Sequence, residues 1–223
     1  DWDLSSTDLL TVQGDAYVGD ENDLNVTPLP TTPFSRISSN DSQVNGGNLL
    51  ARWSHQLSAD SDLKLQFYYD RTHRFSQLLE EDRDTFDLDF QHGFRWGRTH
   101  QVIWGAGYRL THDQTHGTFG VQFRDPSRSV SLASAFIQDE ISILDKVLSL
   151  TLGSKFEFND FTGFEYQPTG RVVWTPHSRH TIWSAVSRAV RTPSRADDNV
   201  RLNTAVFPPG TLGPGTPPAT VSL

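Results

Sequence analysis

Apolar and polar residues alternate along several stretches of this chain, most clearly from Asp62 to Thr72, where Leu63, Leu65, Phe67 and Tyr69 interleave with Lys64, Gln66, Tyr68 and Asp70. A repeat of two is the side-chain repeat of a β-strand, so such a strand has one apolar and one wet face. Asp84 to Phe94 repeats it, with Phe86, Leu88, Phe90 and Phe94 against Thr85, Asp87, Asp89 and Gln91. Val102, Trp104, Ala106, Tyr108 and Leu110 oppose Gln101, Gly105, Gly107, Arg109 and Thr111. Further on, Leu148, Leu150, Leu152, Phe156 and Phe158 oppose Ser149, Thr151, Gly153, Lys155, Glu157 and Asn159. Weaker runs near 7–19, 48–58, 129–143, 167–175 and 180–191 bring the expectation to nine strands. The acids on the wet faces argue against a sandwich core, because an unpaired carboxylate is costly to bury.

The connections between these runs alternate in length. Tight ones fall at Ser58-Ala59-Asp60-Ser61, Arg95 to Thr99, Leu144-Asp145-Lys146 and Pro176 to Arg179. Long ones fall near 20–47, 74–83, 112–128 and from 192 onward, with a shorter one at Asp160 to Glu165. Short turns at one rim and long loops at the other are the layout of an outer-membrane barrel, and a soluble sandwich has no reason to sort its loops this way. The expected fold is therefore all-β, an antiparallel up-and-down meander of about nine strands forming a partial transmembrane β-barrel. Trp53, Trp96, Trp104, Trp174 and Trp183 all lie near tight turns, where an interfacial girdle belongs.

Composition fits this reading and narrows it. Only 35% of residues are hydrophobic, yet 11% are aromatic, with six Trp and fourteen Phe; the mean hydropathy is −0.48. No run of about 18 apolar residues exists for a transmembrane helix, but a barrel strand crosses with about 9 to 11 residues. Asp1-Trp2-Asp3-Leu4 has no signal-peptide character, so an exported parent is expected to begin earlier. The lack of cysteine excludes disulfide frameworks and thiolate metal sites, and the net charge of −8 argues against a nucleic-acid partner. From Thr192 the alternation stops and Pro193, Pro208, Pro209, Pro214, Pro217 and Pro218 intervene. Residues 1–191 are thus expected to form the partial barrel, and 192–223 a truncated, irregular extracellular loop.

Four phrases carry a family resemblance. Phe136-Ile137-Gln138-Asp139-Glu140, Leu150-Thr151-Leu152-Gly153-Ser154-Lys155, Gln167-Pro168-Thr169-Gly170-Arg171 and Ser187-Arg188-Ala189-Val190-Arg191-Thr192-Pro193-Ser194 follow the order and spacing seen in the barrels of TonB-dependent receptors. Gly46 to Trp53 and Tyr68 to Thr72 are similar to these receptors too. The resemblance implies a bacterial outer-membrane location, a barrel of about 22 strands with an N-terminal plug, and energised import of a scarce ligand, most often a ferric siderophore. The implied partners are outer-membrane lipid, the ligand, and the TonB complex acting through a plug domain not found in these residues. It implies neither enzymatic activity nor a cofactor. A passive porin or adhesin scaffold is the alternative of another class, and a soluble β-domain a third. The membrane reading predicts aggregation in detergent-free buffer, because apolar faces and two edge strands would be exposed.

Candidate chemistry is sparse. His112 with His116, and His177 with His180, are too few ligands for a metal site, and none is expected. No G-x-S-x-G, P-loop or HExxH pattern supports an enzyme. Arg188, Arg191 and Arg195 approach a long loop, and guanidinium groups suit carboxylate, phosphate or ferric-chelate oxygens. They are either part of a ligand vestibule or partners of acids such as Glu157, Asp160 and Asp197. Pro193 restricts Thr192 to extended backbone and ends the strand.

Overall fold

The computed structural model describes the backbone of residues 1–223 and the side chains of all but Asp23 and Asn40. Where the sequence alternates, the chain extends and pairs with its neighbour. The strands are β1 (Trp2–Asp3), β2 (Asp8–Pro28), β3 (Ser35–Ser58), β4 (Ser61–Phe75), β5 (Leu79–Trp96), β6 (His100–Gly117), β7 (Val121–Phe123), β8 (Ser127–Leu144), β9 (Leu148–Asn159), β10 (Gly163–His177), β11 (His180–Ser187), β12 (Val200–Phe207) and β13 (Ala219–Ser222). A single helical turn, α1 (Arg195–Asn199), precedes β12. Ten strands form one antiparallel sheet in the order β1-β2-β3-β4-β5-β6-β8-β9-β10-β11, an open meander of nine long strands edged by β1. The all-β, up-and-down architecture is as the alternation predicted.

Register keeps the two faces apart across the whole sheet. Directly opposed residues in an antiparallel pair share a face, and Leu10, Trp53, Leu65, Phe90, Ala106, Ala135, Phe156 and Tyr166 follow one another strand to strand in a single row. The neighbouring row on the other face reads Thr11, Arg52, Gln66, Asp89, Gly107, Ser134, Glu157 and Glu165. A slip of one residue in any pair would exchange the faces of that strand, so the apolar pattern itself fixes the register. Neither face is covered. Among the described residues Val102 is the one hydrophobic residue that is buried, whereas Phe67, Leu88, Tyr108, Phe158 and Phe164 stand exposed.

At one rim the turns are as tight as expected: Ala59-Asp60, Gly97 to Thr99, Asp145 to Val147, and Ser178-Arg179. Gly97 takes φ +67, a left-handed conformation that glycine adopts without steric cost. The other rim differs from the expectation of long loops. Residues 20–47 are mostly strand, with the β2–β3 connection confined to 29–34; β4 and β5 are joined by Ser76 to Leu78, and β6 runs on to Gly117. The asymmetry between the rims is thus carried by strand overhang as much as by loops. At about 3.3 Å per residue the 24 residues of β3 span about 80 Å, more than twice the hydrocarbon thickness of a bilayer. The segment from 192 is not wholly irregular either, since it holds α1, β12 and β13 and forms a three-stranded sheet with β7.

Candidate functional site

The polar face is the natural place for ligand chemistry, and ion pairs and hydrogen bonds organise it. Arg109 Nε donates to Asp87 Oδ2 at 2.5 Å, Lys155 Nζ lies 2.8 Å from Glu157 Oε1, and Gln167 Nε2 donates to Glu157 Oε2 at 2.5 Å. Higher on this face the Tyr17 and Thr72 hydroxyls are 3.0 Å apart, and Tyr68 donates to Asp70 at 3.2 Å. Asp87 of β5 thus faces Arg109 of β6 in register, and Lys155 and Glu157, two residues apart on β9, share the same face.

The apolar face changes character along the strands. Above Tyr69, Phe86 and Leu110 its next row is Gly47, Arg71, Asp84, His112 and Ser129. Arg71 lies 3.7 Å from both Asp82 and Asp84. One row further, His73 stands opposite Asp82 with Nδ1 and Oδ1 3.1 Å apart, and Glu80 joins them on the same side. At the opposite rim Trp53 Nε1 donates to Asp8 at 3.0 Å, Trp104 Nε1 donates to His92 at 3.1 Å, and Trp53 stacks on His55. The apolar band therefore runs between a Trp/His-rich edge and a charged edge.

At the overhanging rim, distant parts of the chain interlock. Val200 pairs with Phe123 and Leu202 with Val121, so β12 docks on the β6–β8 connection. Asn199 Nδ2 donates to Asp125 Oδ2 at 2.7 Å, Asn203 Nδ2 to the Phe119 carbonyl at 2.5 Å, and Arg128 to Asp198 at 2.5 Å. Thr118 donates to the Leu78 carbonyl at 3.0 Å, and Gln77 to that of Ser39 at 2.7 Å, tying in two more hairpins. A reciprocal cap fixes α1: Asp197 N donates to Ser194 Oγ at 3.2 Å and Ser194 N to Asp197 Oδ2 at 2.8 Å. The Ser194 backbone N–H and hydroxyl hold the Asp197 carboxyl below the usual carboxylate range.

The three arginines singled out in the sequence have three different partners. Arg188 binds Glu165 at 3.1 Å and the Tyr166 carbonyl, with its guanidinium 4.6 Å over the Tyr166 ring. Arg191 reaches Asp197 at 3.1 Å and stays 84% exposed. Arg195 is buried, pairs with Asp113, donates to the Asp125 carbonyl and covers the Phe123 ring at 4.8 Å. Of the acids expected as partners, Asp197 takes Arg191, whereas Glu157 pairs with Lys155 and Asp160 accepts from Ser131, and Glu165 and Asp113 hold the other two arginines instead. His177 and His180 face each other across the β10–β11 turn with ring centroids 6.0 Å apart. His112 Nδ1 is 2.9 Å from Ser129 Oγ, and His116 is opposite Glu80. The His73, Glu80 and Asp82 group is not visible in the sequence, where 74–83 lacks alternation and reads as a loop, whereas β5 in fact begins at Leu79.

Comparison with known proteins agrees with the fold. No curated protein matches the chain. Among solved structures, the siderophore receptor PirA from Pseudomonas aeruginosa superimposes with a TM-score of 0.65 at 12% identity, over 86% of this chain and 32% of that one. The chain thus spans about a third of PirA. The translocator domain of the autotransporter NalP from Neisseria meningitidis matches with a TM-score of 0.42 at 9% identity, over 89% of this chain and 75% of that one. The family described as TonB dependent receptor-like, beta-barrel matches residues 1–220, and its members are outer-membrane receptors and transporters rather than enzymes. With 220 of its 223 residues matched and both faces sorted strand by strand, the chain belongs to the TonB-dependent receptor β-barrel family.

Proposed function

We propose that this chain supplies part of the wall of a bacterial outer-membrane receptor that imports a scarce ligand, a ferric siderophore. Family membership over residues 1–220 carries the reading. The face-sorted sheet supports it: from Val102 to Leu110 the apolar band of β6 runs about 27 Å along the strand, comparable with the band of about 25 Å in outer-membrane barrels. In this reading the apolar face meets lipid, the polar face lines the lumen, and the tight turns face the periplasm. The overhanging rim, with residues 192–223, lies outside the cell, where a large ligand arrives. Coupling to the TonB complex runs through a plug domain of the complete protein.

Among the three arginines, we assign Arg191 to ligand contact. Its guanidinium is open to solvent and suits the oxygens of an anionic chelate, while Arg188 and Arg195 shape the rim around it. Uptake of an iron-55-labelled siderophore into iron-starved cells, with and without a deletion of the complete gene, tests the function. Uptake that depends on the gene and stops when a protonophore collapses the proton-motive force is expected. Gene-dependent uptake that survives the protonophore would instead mark a passive pore, and uptake unchanged by deletion would remove the ferric siderophore from the reading.

A further inference from the structure

Beyond the apolar band, on the same side of the sheet, His73, Glu80 and Asp82 each bring one ligand atom within 4.8 Å of the others. We infer that these three side chains form a binding site for a transition-metal dication of the Zn²⁺ class. The site is built on paired strands. His73 of β4 lies directly opposite Asp82 of β5, and Glu80 is two residues before Asp82, so all three project from one face.

Zn²⁺ takes imidazole nitrogen and carboxylate oxygen at about 2.0 to 2.2 Å, which sets ligand atoms about 3.4 Å apart in a tetrahedron. The His73 to Asp82 distance of 3.1 Å is already close to that spacing. Glu80 reaches it by rotating a flexible side chain. An ion pair between His73 and Asp82 accounts for two members of the group and leaves the third: among the described residues, no hydrogen bond or ion pair is found for the half-buried Glu80 carboxylate. Charge points the same way. Glu80, Asp82 and Asp84 share this stretch of the face with Arg71 as their nearby fixed cation, 3.7 Å from each of the two aspartates. A dication offsets the surplus. His116 of β6, in register with Glu80, is placed to supply a fourth ligand. A mixed imidazole and carboxylate set suits Zn²⁺ better than Ca²⁺ or Mg²⁺, which prefer oxygen alone.

The site lies four residues past Tyr69 along β4, about 13 Å, on the face of the sheet opposite to Arg83 and to Asp113, the partner of Arg195. Bound metal would pin β4 to β5 where the strands leave the apolar band. The test is calorimetric titration of ZnCl₂ into the complete protein, folded in detergent micelles and stripped with chelator. One equivalent is expected to bind, with affinity reduced at least tenfold in H73A and in E80Q and unchanged in H177A. Each variant's fold is checked by the heat-modifiable gel mobility of intact barrels, and H73N replaces H73A if the latter fails that check. Wild-type binding no tighter than that of H73A, or an unaffected E80Q, would overturn the site and leave an ordinary ion pair. Iron uptake is expected to be the same in E80Q as in wild type, so failure of the metal site is distinguishable from failure of the receptor reading.

Discussion

Neighbouring positions on β4 should respond in opposite ways to the same substitution. Phe67 projects from the apolar face, 40% exposed in the bare sheet, and Tyr68 projects from the polar face. A Phe side chain presents about 200 Å², so roughly 80 Å² of Phe67 is left for lipid to cover, worth about 2 kcal/mol at about 25 cal/mol per Å². An arginine near the bilayer midplane adds about 2 to 4 kcal/mol of its own. Phe67→Arg should therefore destabilise the folded barrel by about 4 to 6 kcal/mol. Tyr68→Arg instead sets a cation beside Asp70 and opposite Asp87, and a polar or ion-paired site of that kind shifts stability by about 1 kcal/mol or less. The assay is urea unfolding of the complete protein in lipid vesicles, comparing the two midpoints with wild type. If Tyr68→Arg lowers the midpoint as much as Phe67→Arg does, the assignment of the two faces is refuted.

Other consequences can be checked by similar means. Arg195→Ala leaves the Asp113 carboxylate, 3% exposed, without its cation, and should loosen the 195–223 segment by about 3 to 5 kcal/mol, seen as faster amide exchange there; adding Asp113→Ala should restore part of the protection. A methyl group at Gly105 would meet the Phe90 carbonyl at 2.4 Å and the Phe136 ring at 2.6 Å, so Gly105→Ala should cost about 1 to 3 kcal/mol in the same urea assay. Asp197 has a depressed carboxyl pKa in the fold, so its contribution to α1 is fully present above the unfolded aspartate value and is lost as pH falls through the lower folded one. Protease cutting within 194–199 should accordingly rise as the medium is acidified below about pH 4, and Asp197→Asn should cut readily at all pH values. In cells, Arg191→Ala should weaken siderophore uptake several-fold without changing the amount of receptor in the outer membrane.

The band itself was legible in the sequence, because Leu63 to Tyr69 and Phe86 to Phe94 alternate only where one face is apolar. Above the band that signal fades. Asp20, Asn22, Gln43 and Asn45 sit on the same face as Leu10 and Trp53, yet they are polar, so both faces read alike and strand became indistinguishable from loop. Backbone pairing continues there without a hydrophobic pattern to report it. The rim was hidden for another reason. Arg195 meets Asp113 and β12 meets β7 across more than seventy residues, and the prolines after 207 masked the short strands flanking them. His73, Glu80 and Asp82 are close in sequence, but their convergence depends on the tight β4–β5 turn at Ser76 to Leu78.

In the proposed receptor the apolar face of this sheet is packed by lipid and not by other parts of the protein. Lipid chains are fluid and fill any contour, so a side chain that faces them is selected for greasiness and not for shape, unlike one in a protein core, where a single methylene is felt. Phe, Leu, Ala, Trp and Val follow one another along the apolar rows with little regard to size. Such a surface can exchange nearly every residue over time while the register stays fixed. The fold itself is kept at such low identity: the chain superimposes on PirA over 86% of its length at 12% identity.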